Sequence, residues 1–470
     1  MADTRIEKDS LGEMTVPAGA LWGASTARAV ENFPISGLKL PPAFIRAFAR
    51  IKRSAADVSR EGKARLKGEV VRPEIWEAIA KAADEVAAGK HDDEFVVDVY
   101  QAGAGTSFNM NVNEVLTNRA LEILGKKRGD KEINPNDHPN IGQSTNDTIP
   151  TAMRLSTLDL IPGLLAALDG LIRSFEKQQK EVGPKALKSG RTHLQDAVPM
   201  RVDQEIGGWA AVLRNQRARL AEAAEPLRFL PIGGNAIGTG LNTEESFGPR
   251  MCARLSELTG EKLKPAPDRF ALIASMADLA HLSGVLRNLA VEVNKVANDL
   301  RLLASGPFTG LAEVALPAVQ PGSSIMPGKV NPSIPEMVNQ VCYQVMGLDL
   351  TVSHCANGGQ LELNVMMPVA AFDLCHMLTI LTNAIRVFDA KCISGLKWDL
   401  DRCQVYFETS GGMATILNPH IGYAAAAEVQ KEAVKTHRRV IDVIRERKLL
   451  DEKTLLKVLD PTALTEPRKS

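Results

Sequence analysis

The segment PGSSIMPGKVNPSIPE, Pro321 to Glu336, gathers Ser323, Ser324, Lys329, Asn331 and Glu336 in a stretch whose glycines and prolines break any regular element. A lysine close to serines on a Gly-bounded loop suits two tasks: lowering a hydroxyl pKa and clamping an anion. A second polar segment, SGRTHLQDAVP, sets Arg191, Thr192 and Asp196 around His193. A lone histidine in a loop is ordinarily structural, and it is this company that makes His193 a candidate for proton transfer. In QAGAGTSFNMNVNEV, Gly103, Ala104 and Gly105 bare the backbone just before Thr106 and Ser107, at an expected helix start. Amides and hydroxyls there suit a carboxylate or phosphate, and a plainly capped helix fits equally well. The last segment, NPNDHPNIGQSTND, brings Ser144, Thr145 and Asn146 to another helix entrance, which taken alone is an N-cap.

Other chemistries lack their marks. The chain has no GxSxG, GxxxxGK[ST] or HExxH. GGNAIGTG at 233–240 has the wrong glycine spacing for a dinucleotide loop, and no strand-like run precedes it.

Long helices must position these loops. Leu158, Ile161, Leu165, Leu168, Ile172 and Phe175 alternate at three- and four-residue steps. So do Leu279, Leu282, Leu286, Leu289, Val293, Val296, Leu300 and Leu303. Val202, Ile206, Trp209 and Leu213 continue the rule, with Leu220 and Leu227 at the next heptad steps. Such spacing predicts straight apolar seams packed nearly parallel in a bundle, and seams this long call for partner helices from further copies of the chain. Residues 183–200, 231–243 and 305–335 read as loops between these helices.

Composition narrows the class. Among 470 residues, 44% are hydrophobic and only 4% aromatic, which favours packed helices over a β-sandwich. Lys+Arg and Asp+Glu balance at 56 each, which removes the electrostatic case for nucleic acid or an anionic membrane. No uninterrupted apolar run approaches the length of a membrane span, and the charged start MADTRIEKDSLGEM is unlike a secretory signal. Six scattered cysteines without CxxC spacing read as buried thiols of a reducing cytoplasm. The expected organisation is all-α: an N-terminal helical domain over 1–146, a central bundle over 147–398 and a small helical domain over 399–470.

Together the four loops resemble the fumarase/aspartase superfamily over essentially the whole chain, and GSSIMPGKVN, Gly322 to Asn331, reproduces the family signature GSSxxMPxKxN in full. The resemblance implies a homotetramer around a bundle of about twenty helices, with active sites assembled from three subunits and no metal or other cofactor. QAGAGTSFN, QSTND, PEMVNQVCYQVMG and GQLELNVM are similar to the aspartase branch; LWGASTAR and APDRFALIAS are similar to class II fumarases. Met367 departs from both branches, and Asn235 replaces the usual Thr. The substrate-facing loops thus imply reversible elimination of ammonia from L-aspartate to give fumarate, with hydration of fumarate to L-malate as the alternative. By the same resemblance Ser323 is the general base, Thr106, Ser144, Thr145 and Ser324 hydrogen-bond the β-carboxylate, and Ser107 is a further substrate-binding residue. Lys329 and Asn331 take the α-carboxylate, Thr192, His193 and Asn146 surround it and the amino group, and Glu336 orients His193.

Overall fold

The computed structural model describes residues 3–467. It is an all-α protein in which five long helices, Thr145–Val182, Val202–Ala224, Ala277–Leu303, Ser333–Asn357 and Met367–Lys391, carry the apolar seams. Every seam residue of Ala277–Leu303 is buried, from Leu279 to Leu303. On Thr145–Val182 the expected seam is buried at Leu158, Ile161, Leu168, Ile172 and Phe175; Leu165 alone is half-buried, beside the fully buried Leu164. That helix contains Pro150 and Pro162. Leu227 lies beyond the end of its expected helix, buried in the short 3-10 turn Glu225–Arg228.

By composition and length, though not by uninterrupted apolar runs, Thr145–Val182 and Met367–Gly395 are apolar enough to cross a bilayer. More than half of the most apolar window of each is buried inside this chain, as in core helices.

Contacts divide the chain into two compact units. The first takes in the chain up to Leu165, Arg219–Asn288 and Tyr343–Leu381; the second comprises Ala166–Ala218, Leu289–Cys342 and the chain from Thr382 onward. In the first, helices Pro42–Glu61, Pro73–Ala87 and Thr106–Ile123 pack in sequence around a ring cluster of Phe44, Phe48, Phe95 and Phe108. Its N-terminal hairpin pairs Thr4–Asp9 with Gly12–Pro17.

In the second unit, the segment expected as a loop at 183–200 is instead a β-hairpin: Leu187–Thr192 pairs antiparallel with Gln195–Arg201. His193 and Leu194 form its two-residue turn with φ of 51° and 63°, the left-handed pair that a tight hairpin requires. The C-terminal helices hold this hairpin. Leu187 joins Phe407, Met413, Leu417, Val429 and Val440 in one apolar cluster, and Ser189 Oγ bonds Ser410 Oγ at 3.0 Å. Gly412 lies so close to Ala197 that an added Cβ would sit 1.6 Å from its carbonyl oxygen, so no other residue fits there.

Candidate active site

The site residues fall into two groups, one in each unit. In the first unit two helix starts supply them. Helix Thr106–Ile123 is entered through Ala104 at φ 58° and Gly105 at φ 85°, a left-handed pair that turns the chain sharply. The turn is pinned by Ala104 N donating to Val365 O at 2.8 Å. Thr106 is exposed, and Ser107, at 9% exposure, is buried behind it. At the other start, Ser144 is indeed a helix cap: its Oγ accepts from Asn146 N at 3.2 Å while its own N–H donates to Asp147 Oδ1 at 3.0 Å. The bond to Asp147 is the back-reaching half of a capping box with Asp in place of Glu, while the hydroxyl caps the second amide of the helix.

Asp147 ties this helix to the 233–240 loop. Its Oδ2 accepts from Gly233 N at 3.0 Å and Asn235 N at 2.8 Å. Burial pushes the carboxyl up to about 6, and these backbone donors work against that rise. Asn235 sits at φ 58°, a left-handed position that asparagine tolerates far better than a β-branched residue. Its side chain donates to Leu241 O and Thr243 Oγ1, within its own loop. Asn146 Nδ2 reaches Ala236 O at 2.8 Å. Met367 is fully buried at the start of its helix, so this position serves packing.

Behind Thr145 lies a polar cluster that the sequence reading missed. Asn109 Nδ2 donates to Thr145 Oγ1 at 3.0 Å and to Asn140 Oδ1 at 3.2 Å, and Lys52 Nζ donates to the same Asn140 oxygen at 3.1 Å. Lys52 is fully buried; burial pulls its ammonium down to about 7, opposed by the nearby Asp147 carboxylate. A lysine inside the apolar period of Pro42–Glu61 gives no signal of this kind, although two buried asparagines one turn apart in NMNVNEV do hint at it.

In the second unit the 320s segment closes into a tight loop. Gly322 N donates to Lys329 O at 2.8 Å, and Asn331 Nδ2 donates to Gly322 O at 2.9 Å. A Cβ on Gly322 would meet both Asn331 N and Lys329 O at 2.7 Å, so the turn admits only glycine. Ser323 Oγ accepts from Ile325 N at 3.2 Å and Met326 N at 3.1 Å. Two amides aimed at one hydroxyl oxygen favour its ionised form. Ser324 and Lys329 are exposed. Lys329, Asn331 and Glu336 line a cavity of about 1030 Å³ together with Arg301, a cation the sequence reading passed over.

Thr192 and His193 project at the exposed hairpin tip, and His193 lines a separate cavity of about 280 Å³ with Lys188, Arg191 and Glu205. Among the described residues of one chain, no hydrogen bond or ion pair joins Glu336 to His193. The hairpin base is fixed electrostatically: Glu313, fully buried, faces Lys188 Nζ at 2.7 Å and Arg191 Nη2 at 2.6 Å, and Lys188 also meets Glu205 at 2.6 Å.

The candidate residues are thus hydroxyls at two helix starts in one unit, and a loop serine, cations and a histidine in the other. Residues 12–347 match the lyase family model, and 413–466 match the fumarase C C-terminal model. The chain belongs to the fumarase/aspartase superfamily. It is 47% identical to a class II fumarate hydratase of Xylella fastidiosa, covering 98% of this chain and 95% of that one. It is 42% identical to an aspartate ammonia-lyase of Bacillus subtilis, covering 98% and 96%. Its fold superposes with a TM-score of 0.93 on a crystal structure titled fumarate lyase:delta crystallin from Brucella melitensis, at 44% identity over 99% and 100% of the two chains. Superfamily membership makes the protein a lyase, and its relatives divide between the two branches.

The six cysteines are free thiols; burial pushes Cys252, Cys342, Cys392 and Cys403 up to about 12 and Cys375 to about 11, so they stay protonated in the core.

Proposed function

We propose that this lyase is an aspartate ammonia-lyase, which eliminates ammonia from L-aspartate reversibly to give fumarate. The observation that carries the reading is that two of its aspartase-type segments are one piece of structure at the entrance of the Thr106–Ile123 helix. Val365, in GQLELNVM, accepts from Ala104 of QAGAGTSFN, and a Cβ on Gly103 would meet Val365 Cβ at 2.9 Å. Of the fumarase-like segments, APDRFALIAS also packs on GQLELNVM, Asn364 N donating to Ile273 O at 3.4 Å, whereas LWGASTAR wraps its amides and Thr26 around the buried Glu114 carboxylate. That is a scaffold role.

The difficult step is removing a proton from the carbon beside a carboxylate, since the dianion so formed is strongly disfavoured in water. Ser323, its hydroxyl oxygen already facing two amide donors, takes that proton. Thr106, Ser144, Thr145 and Ser324 donate to the β-carboxylate as it gains charge, and Ser107 is a further substrate-binding residue. Lys329 and Asn331 hold the α-carboxylate. Thr192, His193 and Asn146 complete the pocket around the amino group, and Glu336 sets the imidazole orientation. Closure of the exposed 320s loop excludes water and strengthens every one of these interactions. The chemistry needs no metal or organic cofactor.

With this function we propose a homotetramer in which three copies of the chain supply the segments of each site, within the organisation 1–146, 147–398 and 399–470. Exposed apolar residues on the long helices, Tyr343, Leu350, Val291 and Leu302, support the need for partner helices. Free, buried thiols support a reducing, cytoplasmic setting.

The 47%-identical fumarate hydratase favours a second reading, hydration of fumarate to L-malate. Purified protein is given fumarate with and without ammonium, and loss of the ultraviolet absorbance of fumarate is followed. The aspartase reading expects loss only with ammonium; L-malate formed without ammonium would overturn it.

A further inference from the structure

Lys52 is fully buried on helix Pro42–Glu61, with its Nζ 5.4 Å from the centre of the Phe48 ring. An apolar residue of equal volume would pack there without the cost of burying an ammonium group. What the lysine adds is a donor to Asn140 Oδ1. That oxygen also receives Asn109 Nδ2 at 3.2 Å and Asn113 Nδ2 at 3.3 Å.

The amide orientations matter because an alternative exists. Asn109 Oδ1 and Asn113 Oδ1 are buried without a partner in the present arrangement. With the three amides turned over, Asn140 would offer its NH2 to those oxygens, and Asn109 would present oxygen to Thr145. The Thr145 hydroxyl would then donate inward. The ammonium of Lys52 opposes this, since a turned Asn140 would set an NH2 group against it. In the observed arrangement Asn109 donates to Thr145 Oγ1, and that hydroxyl donates to no group among the described residues, so its proton is free for a ligand. Asp147 is the charged group that acts on Lys52, from the start of the same helix as Thr145.

We propose that Lys52 is a positioning residue of the lyase, which through Asn140 and Asn109 fixes Thr145 as a donor toward the substrate carboxylate. This rests on the reading of Thr145 as a carboxylate-binding residue. The direction of that proton matters most as charge develops, so the effect belongs in kcat.

The test is a double-mutant cycle with Lys52→Met and Thr145→Val, using whichever of L-aspartate and fumarate the wild type converts. Lys52→Met is expected to lower kcat at least tenfold, the scale of a misdirected oxyanion donor, with KM within about threefold. The double variant is expected to match Thr145→Val alone within about threefold, because both changes remove one interaction. Wild-type kcat in Lys52→Met, or a double variant whose loss is the product of the single losses, overturns the proposal. Should Lys52→Met not fold, Asn109→Ala cuts the same chain one step later and is judged by the same cycle. A wild type that converts neither substrate overturns the functional reading, and this proposal with it.

Discussion

Replacing Glu313 with Gln tests how the His193 hairpin is held. The carboxylate is completely buried and faces two cations, Lys188 at 2.7 Å and Arg191 at 2.6 Å, on the strand that leads to Thr192 and His193. Glutamine keeps the volume but loses the charge. Its oxygen can serve one cation, and its NH2 then confronts the other. Removing one partner of a buried pair costs roughly 3–5 kcal/mol. Lys188 keeps Glu205, whose side chain is 21% exposed, and so the lower end, about 3 kcal/mol, applies. If the hairpin opens locally, that loss corresponds to about a hundredfold faster amide exchange. Hydrogen exchange followed by mass spectrometry should show the acceleration in peptides covering 187–201, with kcat/KM falling alongside. Acceleration below about fivefold would refute the clamp, since it corresponds to only about 1 kcal/mol.

Further expectations concern the loop, the clamp on substrate and pH. Ser323→Ala should lower kcat by at least about a thousandfold while substrate still binds in calorimetry; full activity would refute the base assignment. Lys329→Met should chiefly raise KM, by roughly a hundredfold, as a ground-state ion pair is lost, and a kcat effect alone would count against that role. Gly322→Ala should abolish activity yet leave the melting temperature nearly unchanged, because its Cβ meets backbone atoms in an exposed loop. Stability should also follow the two buried titrating groups. Asp147 is raised from 3.8 to about 6, so the unfolded chain releases that proton first and stability falls as pH rises from about 4 to 6. Lys52 is lowered from 10.5 to about 7, so the unfolded chain holds the extra proton and stability rises from about 7 to 10. Melting curves of Asp147→Asn and Lys52→Met, set against the wild type, should each lose the matching slope.

The apolar periods reveal the long helices because burial imposes a 3.6-residue rhythm that any reader of the chain can count, and Leu279 through Leu303 follow it without exception. Helix entrances at Thr106 and Thr145 are legible for a similar reason: bare glycines and capping hydroxyls are local. The hairpin around His193 is not. Its turn uses His-Leu where Asn-Gly is the usual signal, and the register shifts between Ser189 and Arg191, which breaks the alternation of a strand. Nor can the partners of Asp147, Lys52 or Glu313 be read from spacing, because they lie 86, 88 and 122 residues away along the chain. Met367 and Asn235 stand out in the sequence only as departures from the family pattern; in the fold one is packing and the other a left-handed backbone position.

The central claim is that segments from different copies of the chain complete each active site. Co-assembling two separately inactive variants, Ser323→Ala and His193→Asn, measures it directly. In equal mixture, random assembly should leave about a quarter of the sites with neither change, and activity should return to that level. Activity that stays at the level of the parent variants, in mixed assemblies shown to contain both, would mean that one chain builds its own site and would contradict the account.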